Sequence, residues 1–133
     1  METELDISQG LIESGNFAEA FRKLKKLVLD DKLSTADRAT AYQMLGSLVL
    51  VCPSLGDEDE CGLSYYKQAL EFDPNNLWAH YGIVSTLGVH FPDHQDVRSA
   101  RRSLATIQAR IDELPDSAHE IIVKRLQLLE NFK

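Results

Sequence analysis

The histidines that lie close together in this sequence are those of His90-Phe91-Pro92-Asp93-His94. With Asp93 or Asp96 they offer nitrogen and oxygen donors to zinc, which requires three or four converging ligands. Pro92 keeps the two imidazoles from lining one continuous helical turn. A polar surface turn is expected there, and no metal. His80 and His119 stand alone, as core or surface residues. No G-x-S-x-G elbow is present, and the seven glycines are scattered over helix boundaries and packing positions, not gathered into a phosphate cradle. The acids Asp57 to Glu60 are contiguous, which suits a solvated helix start, not two carboxyls facing across a sugar-sized cleft. Cys52 and Cys61 flank a loop at a separation of nine residues. A disulfide between them is geometrically conceivable, but two free thiols are the plainer reading, and neither thiol sits beside a histidine or in a C-x-x-C. The sequence therefore predicts no enzyme and no cofactor.

Charge narrows the partners. Fourteen Lys and Arg stand against 21 Asp and Glu, a net charge of -7. This argues against a chain that neutralises phosphate backbones, so no nucleic acid is expected. Two basic groups, Arg22/Lys23/Lys25/Lys26 and Arg98/Arg101/Arg102, read as solvated helix faces or, if contiguous, as a surface for an acidic partner protein. The N-terminus, METELDISQGL, lacks a basic start, an apolar core and a small-residue cleavage site. The longest apolar run, Leu48 to Cys52, is far short of the ~20 residues that span a bilayer. A cytoplasmic protein that avoids membranes is the expectation.

The elements that hold these residues are helical nearly throughout. With 44% hydrophobic and 26% charged residues, the 133-residue chain can build one core. The spacing predicts a first helix through Leu5, Ile7, Leu11 and Ile12, broken at Gly15 by a left-handed turn. Asn16 caps a second helix, whose stripe is Phe17, Ala20, Phe21, Leu24, Leu27 and Val28. Ser34, with Asp37 three residues on, starts a third through Ala39, Tyr42, Leu45, Gly46, Val49 and Leu50. A fourth carries Leu63, Tyr66, Ala69 and Leu70 and stops before Asp73-Pro74-Asn75. The fifth starts at Asn75 or Asn76 and runs through Trp78, Tyr81, Ile83 and Val84 to about Gly88. Asp93 caps a long sixth helix with Val97, Ala100, Leu104, Ile107, Ile111 and Leu114, ended by Pro115. Ser117 and Glu120 form a capping box for the last, which carries Ile121, Ile122, Leu126, Leu129 and Phe132. No glycine-serine linker divides the helices, so 1–133 reads as one domain.

The helices come in pairs that echo one another. Gly15-Asn16-Phe17-Ala18-Glu19-Ala20 with Leu24 and Leu27, and Gly62, Tyr66, Ala69, Leu70 with Asp73-Pro74-Asn75-Asn76, resemble the second helix of a tetratricopeptide repeat. Tyr42, Leu45 and Gly46 resemble the aromatic-leucine-glycine signature of its first helix. In the third pair His80 and Tyr81 take the aromatic's place, Ile83 the leucine's and Val84 the glycine's. The resemblance implies an all-α, right-handed α-α superhelix of about three pairs (2–30, 35–73 and 75–114) closed by a capping helix over 117–132. A terminal pair would otherwise expose its apolar edge. The alternative use of the last helix is dimerisation, so a monomer or weak homodimer is expected.

The resemblance also implies a concave groove, lined by the first helix of each pair, for a protein or peptide partner. The matching positions are Leu5 and Gln9, then Gln43, Ser47 and Leu50, then Trp78, Tyr81 and Ser85. Trp78 is the expected anchor, Tyr81 widens the aromatic contact, and Gln43 and Ser47 orient the partner by hydrogen bonds. Trp78 could instead pack against the preceding turn. Family members that take the acidic tail of heat-shock chaperones carry a clamp of lysines, an arginine and asparagines. Here Leu5, Gln9, Gln43, Ser47, Tyr81 and Gly82 occupy those places, and the clamp is absent. The expected function is an adaptor or assembly factor, or alternatively a dedicated chaperone or immunity protein that occludes one effector or toxin.

Overall fold

The computed structural model describes residues 3–55, 62–86 and 94–130. Among them are seven α-helices and no strand: α1 (Glu4–Glu13), α2 (Phe17–Leu27), α3 (Thr35–Val51), α4 (Leu63–Phe72), α5 (Leu77–Thr86), α6 (His94–Ala109) and α7 (Asp116–Glu130). Single 3-10 turns follow α3 at Pro53–Leu55 and α6 at Ile111–Glu113. The acids 57–60, Cys61, the helix end near Gly88, the Asp93 cap, Phe132 and the 90–93 part of the histidine turn lie outside the described residues, as do the side chains of His94, Asp96, Val97, Leu126 and Leu129. No helix among the described residues is long and apolar enough to cross a membrane.

Local chemistry starts and stops the helices. Thr3 Oγ1 accepts from the Asp6 N–H and Asp6 Oδ2 accepts from the Thr3 N–H, both at 3.1 Å, a reciprocal box that opens α1. The helix closes at Gly15, with φ +85°. There the Asn16 N–H donates to Leu11 O and the Gly15 N–H to Ile12 O, the paired bonds of a left-handed C-terminal cap. Asn16 precedes α2 as expected, but its side chain does not cap it; Nδ2 donates instead to Ser14 Oγ at 2.9 Å. Ser34 does cap α3, its Oγ accepting from the Asp37 N–H at 3.1 Å. Asn76 opens α5 by accepting from the Ala79 N–H at 3.0 Å.

Two expectations near the C-terminal end are corrected. The sixth helix does not reach Leu114: it ends at Ala109, and Ile111–Glu113 forms a 3-10 turn. Its backbone tightens where the Arg110 N–H donates to Ile107 O. Ile111 and Leu114 still pack on the core, so the apolar spacing survives the change of winding. The last helix starts at Asp116 after Pro115, whose carbonyl accepts from Ala118 and His119 N–H. Ser117 therefore lies inside α7 and is not its cap.

Consecutive helices pack in tandem: α1 on α2, α3 on α4, and α5 on α6, with α2 meeting α3 and α4 meeting α5. The odd-numbered helices also touch in series, α1 to α3, α3 to α5 and α5 to α7. The result is an all-α superhelical stack in which α7 meets α5 and α6 as α5 meets α3 and α4. Its Ala118 and Ile122 are buried with Ile83, Leu104, Ile107 and Leu114, while Val123 remains 55% exposed. The described residues build two apolar clusters, and α4 divides them. Tyr65 belongs to the one formed by α2 and α3, and its neighbour Tyr66 to the one formed by α5, α6 and α7.

Candidate functional site

The odd-numbered helices carry all six residues singled out for partner contact. On α5, Trp78 and Tyr81 share a face because they are three residues apart. Their rings meet edge to face, 5.6 Å between centroids at 84°. Trp78 is 45% exposed, while Tyr81 is half-buried against the core. One aromatic thus lies at the surface and the second supports it from below.

On α3, Gln43 Nε2 donates to Ser47 Oγ at 2.9 Å, and Ser47 Oγ lies 3.1 Å from Tyr66 Oη. Ser47 is therefore turned inward, onto the phenol of α4. Tyr66 is 1% exposed, and its ring lies between two glycines of the odd layer. A Cβ on Gly46 of α3 would come within 2.9 Å of that ring, and one on Gly82 of α5 within 2.2 Å. Gly62, at φ +88°, meets Gly46 in turn: a Cβ there would fall 2.3 Å from Gly46 O. These three glycines let α3, α4 and α5 close on one aromatic ring.

The contact corrects the register of the third pair. Gly82, not Val84, sits opposite Tyr66 as Gly46 does, and Val84 is core. Ser8, Gly46 and Gly82 are each a small buried residue, on α1, α3 and α5, and Trp78 precedes Gly82 by four residues as Tyr42 precedes Gly46. Tyr42 is half-buried and stacks on Phe72 at 5.7 Å.

The remaining two residues fall elsewhere. Ser85 is buried, 7% exposed, and does not reach the surface. Gln9 is exposed on α1, where Nε2 lies 3.4 Å from Glu13 Oε1. Leu5 packs against the α2–α3 cluster.

The first basic group is partly committed to the fold. Lys23 Nζ pairs with Glu4 at 2.7 Å. Lys25 Nζ donates to Tyr65 Oη at 3.3 Å and lies 5.8 and 5.7 Å from the centroids of Phe21 and Tyr65. Arg22 and Lys26 are exposed. Cys52 is a half-buried free thiol, with Sγ 3.5 Å from Ser54 Oγ.

Three positioning residues carry no signal in the helical periodicity. Arg38 donates to Val28 O, to Asp30 O at 2.8 Å and to Leu33 O at 3.4 Å, and its guanidinium lies 5.6 Å from the Phe72 ring centroid. Arg110 donates to Asn75 O at 2.6 Å and, through Nε and Nη2, to both carboxylate oxygens of Glu113 at 2.8 and 2.9 Å. His80, beside Tyr81 on α5, joins Pro74 O at 2.8 Å to Ser103 Oγ at 2.9 Å.

Comparison with known proteins finds no family model, no curated protein and no solved structure that matches this chain.

Proposed function

We propose that this chain is a non-catalytic protein-binding module, a tetratricopeptide-like adaptor or assembly factor working in the cytoplasm. It takes a protein or peptide along the groove face of α1, α3 and α5. The observation that carries this reading is the aromatic pair on α5: Trp78 presents 45% of its surface to solvent while Tyr81 holds it edge-on. A ring braced in this way has little rotamer freedom left to lose and a large apolar area to bury, which suits a binding anchor. Gln43 assists from α3 with its amide oxygen and second N–H, one N–H being used by Ser47. Ser47 serves the site indirectly, through Tyr66.

Affinity capture with the full chain, followed by titration of the captured partner, tests the proposal. Trp78→Ala should weaken binding by at least ~2 kcal/mol, about thirtyfold. Tyr81→Ala should weaken it less, since Tyr81 contributes mainly as a support. Unchanged affinity in both folded variants would overturn the assignment. Capture of one stoichiometric partner would place the chain among dedicated chaperones or immunity proteins, and capture of several among adaptors.

A further inference from the structure

On the side formed by α4, α5 and α6 lies a surface hollow of about 390 Å³, lined by Lys67, Leu70, His80, Ile83, Arg102 and Ser103. Its base is polar and rigid. The Pro74 carbonyl can only accept, so His80 Nε2–H donates to it, and in the neutral ring Nδ1 accepts from the Ser103 hydroxyl. Ser103 is 3% exposed. Its bond to His80 spans α5 and α6, which holds the two helices in one register over the hollow. Leu70 and Ile83 provide an apolar wall, and the exposed Lys67 and Arg102 provide positive charge from opposite elements. The Arg102 guanidinium makes no hydrogen bond or ion pair to the described residues.

We infer that this hollow binds a carboxylate carried on an apolar stem, the chemistry of an acidic side chain or a free C-terminus of a peptide. A guanidinium grips a carboxylate with two parallel N–H bonds, and an ammonium from the facing helix adds a second charge. The wall of Leu70 and Ile83 covers a stem that a bare inorganic anion lacks. The chain's net charge of -7 does not prevent this, because beyond about 8 Å at physiological salt its distant carboxylates are screened, while the two cations line the hollow itself. The site lies on other helices than the Trp78 face, except for α5, and stands independently of the proposed groove.

Titration of the full, isotopically labelled protein with three blocked dipeptides tests it by nuclear magnetic resonance. Acetyl-Leu-Glu-amide presents a side-chain carboxylate, acetyl-Leu-Leu a terminal one, and acetyl-Leu-Gln-amide none. Saturable shifts at Leu70, Ile83, Ser103 and the His80 ring are expected with one or both acids, and the tighter of the two identifies the source of the carboxylate. Arg102→Gln should weaken that binding at least fivefold and Lys67→Gln twofold or more. Arg98→Gln, an exposed arginine on α6 outside the hollow, should leave it unchanged. Equal loss in the Arg98 and Arg102 variants would overturn the proposal, as would equal binding of the glutamine dipeptide, tighter binding of inorganic phosphate, or no shift at the lining residues.

Discussion

Gly82 and Tyr66 show how much one atom can weigh in this fold. Tyr66 is confined by helices on both sides and by Ser47, so its ring has no room to yield to a methyl group 2.2 Å away. Gly82→Ala should therefore destabilise the protein by about 3 kcal/mol, the upper range for overpacking, although alanine is the better helix former. Urea unfolding followed by circular dichroism would measure it. Tyr66→Phe removes the hydrogen bond to Ser47 and should cost at least ~1 kcal/mol while leaving the packing intact. The Gly46 position was readable beforehand, because Tyr42 and Leu45 set its phase. The sequence pattern puts Val84, two residues beyond Gly82, in the glycine's place because α5 is apolar on nearly every side: Leu77, Ala79, Ile83 and Val84 are buried, and Trp78 and Tyr81 add to them. A helix apolar all round gives its period no preferred face.

At the scale of elements, two arginines join segments that local pattern leaves separate. Arg38 fills the role of a C-terminal cap for α2, taking the carbonyls of Val28, Asp30 and Leu33 from a position on α3. Charge-assisted bonds to backbone oxygens are individually worth about 1.5–3 kcal/mol. Arg38→Ala should cost about 2 kcal/mol and speed hydrogen exchange in the 28–34 turn. Arg110 does the same for the turn between α4 and α5, through Asn75 O. It is held in place by Glu113, whose carboxyl is kept below its usual value chiefly by the hydrogen bond from Arg110, while Arg110 is raised chiefly by the same bond. A depressed carboxylate contributes stability above its unfolded value and loses it as pH falls through the folded one. Melting temperatures of wild type and Glu113→Gln should differ at pH 7 and converge as the carboxylates protonate.

For the whole molecule, the decisive element is α7. It covers α5 and α6 with Ala118 and Ile122, and Ile122 is 4% exposed. Ile122→Ala should cost about 2–4 kcal/mol, a large part of the ~5–15 kcal/mol that such a domain has. Removing 116–133 should expose Ile83, Leu104 and Ile107 and leave a protein that self-associates or unfolds, as size-exclusion chromatography would reveal. A monomer melting within a few degrees of the full chain would show that α7 is an appendage.

The sequence by itself determined the helices, their order and most of their ends. These depend on neighbours within four residues: a serine accepting from the third N–H beyond it, a glycine at positive φ, an apolar stripe repeating every three or four positions. It also picked out Trp78 and Tyr81 as partners on one face, since a separation of three residues settles that within a helix. Only the tertiary structure decided what each face meets. Ser47 was expected to face outward, and the approach of α4 turned it to Tyr66; Ser85 was expected beside Tyr81, and the core took it in. The resemblance puts His80, with Tyr81, in the place of the repeat's aromatic, but in the fold it hydrogen-bonds to Pro74 and Ser103, 6 and 23 residues away. The Ser47–Tyr66 contact follows from how far three glycines let α3, α4 and α5 approach, and the others from how α5 packs on its neighbours, distances that no local pattern encodes.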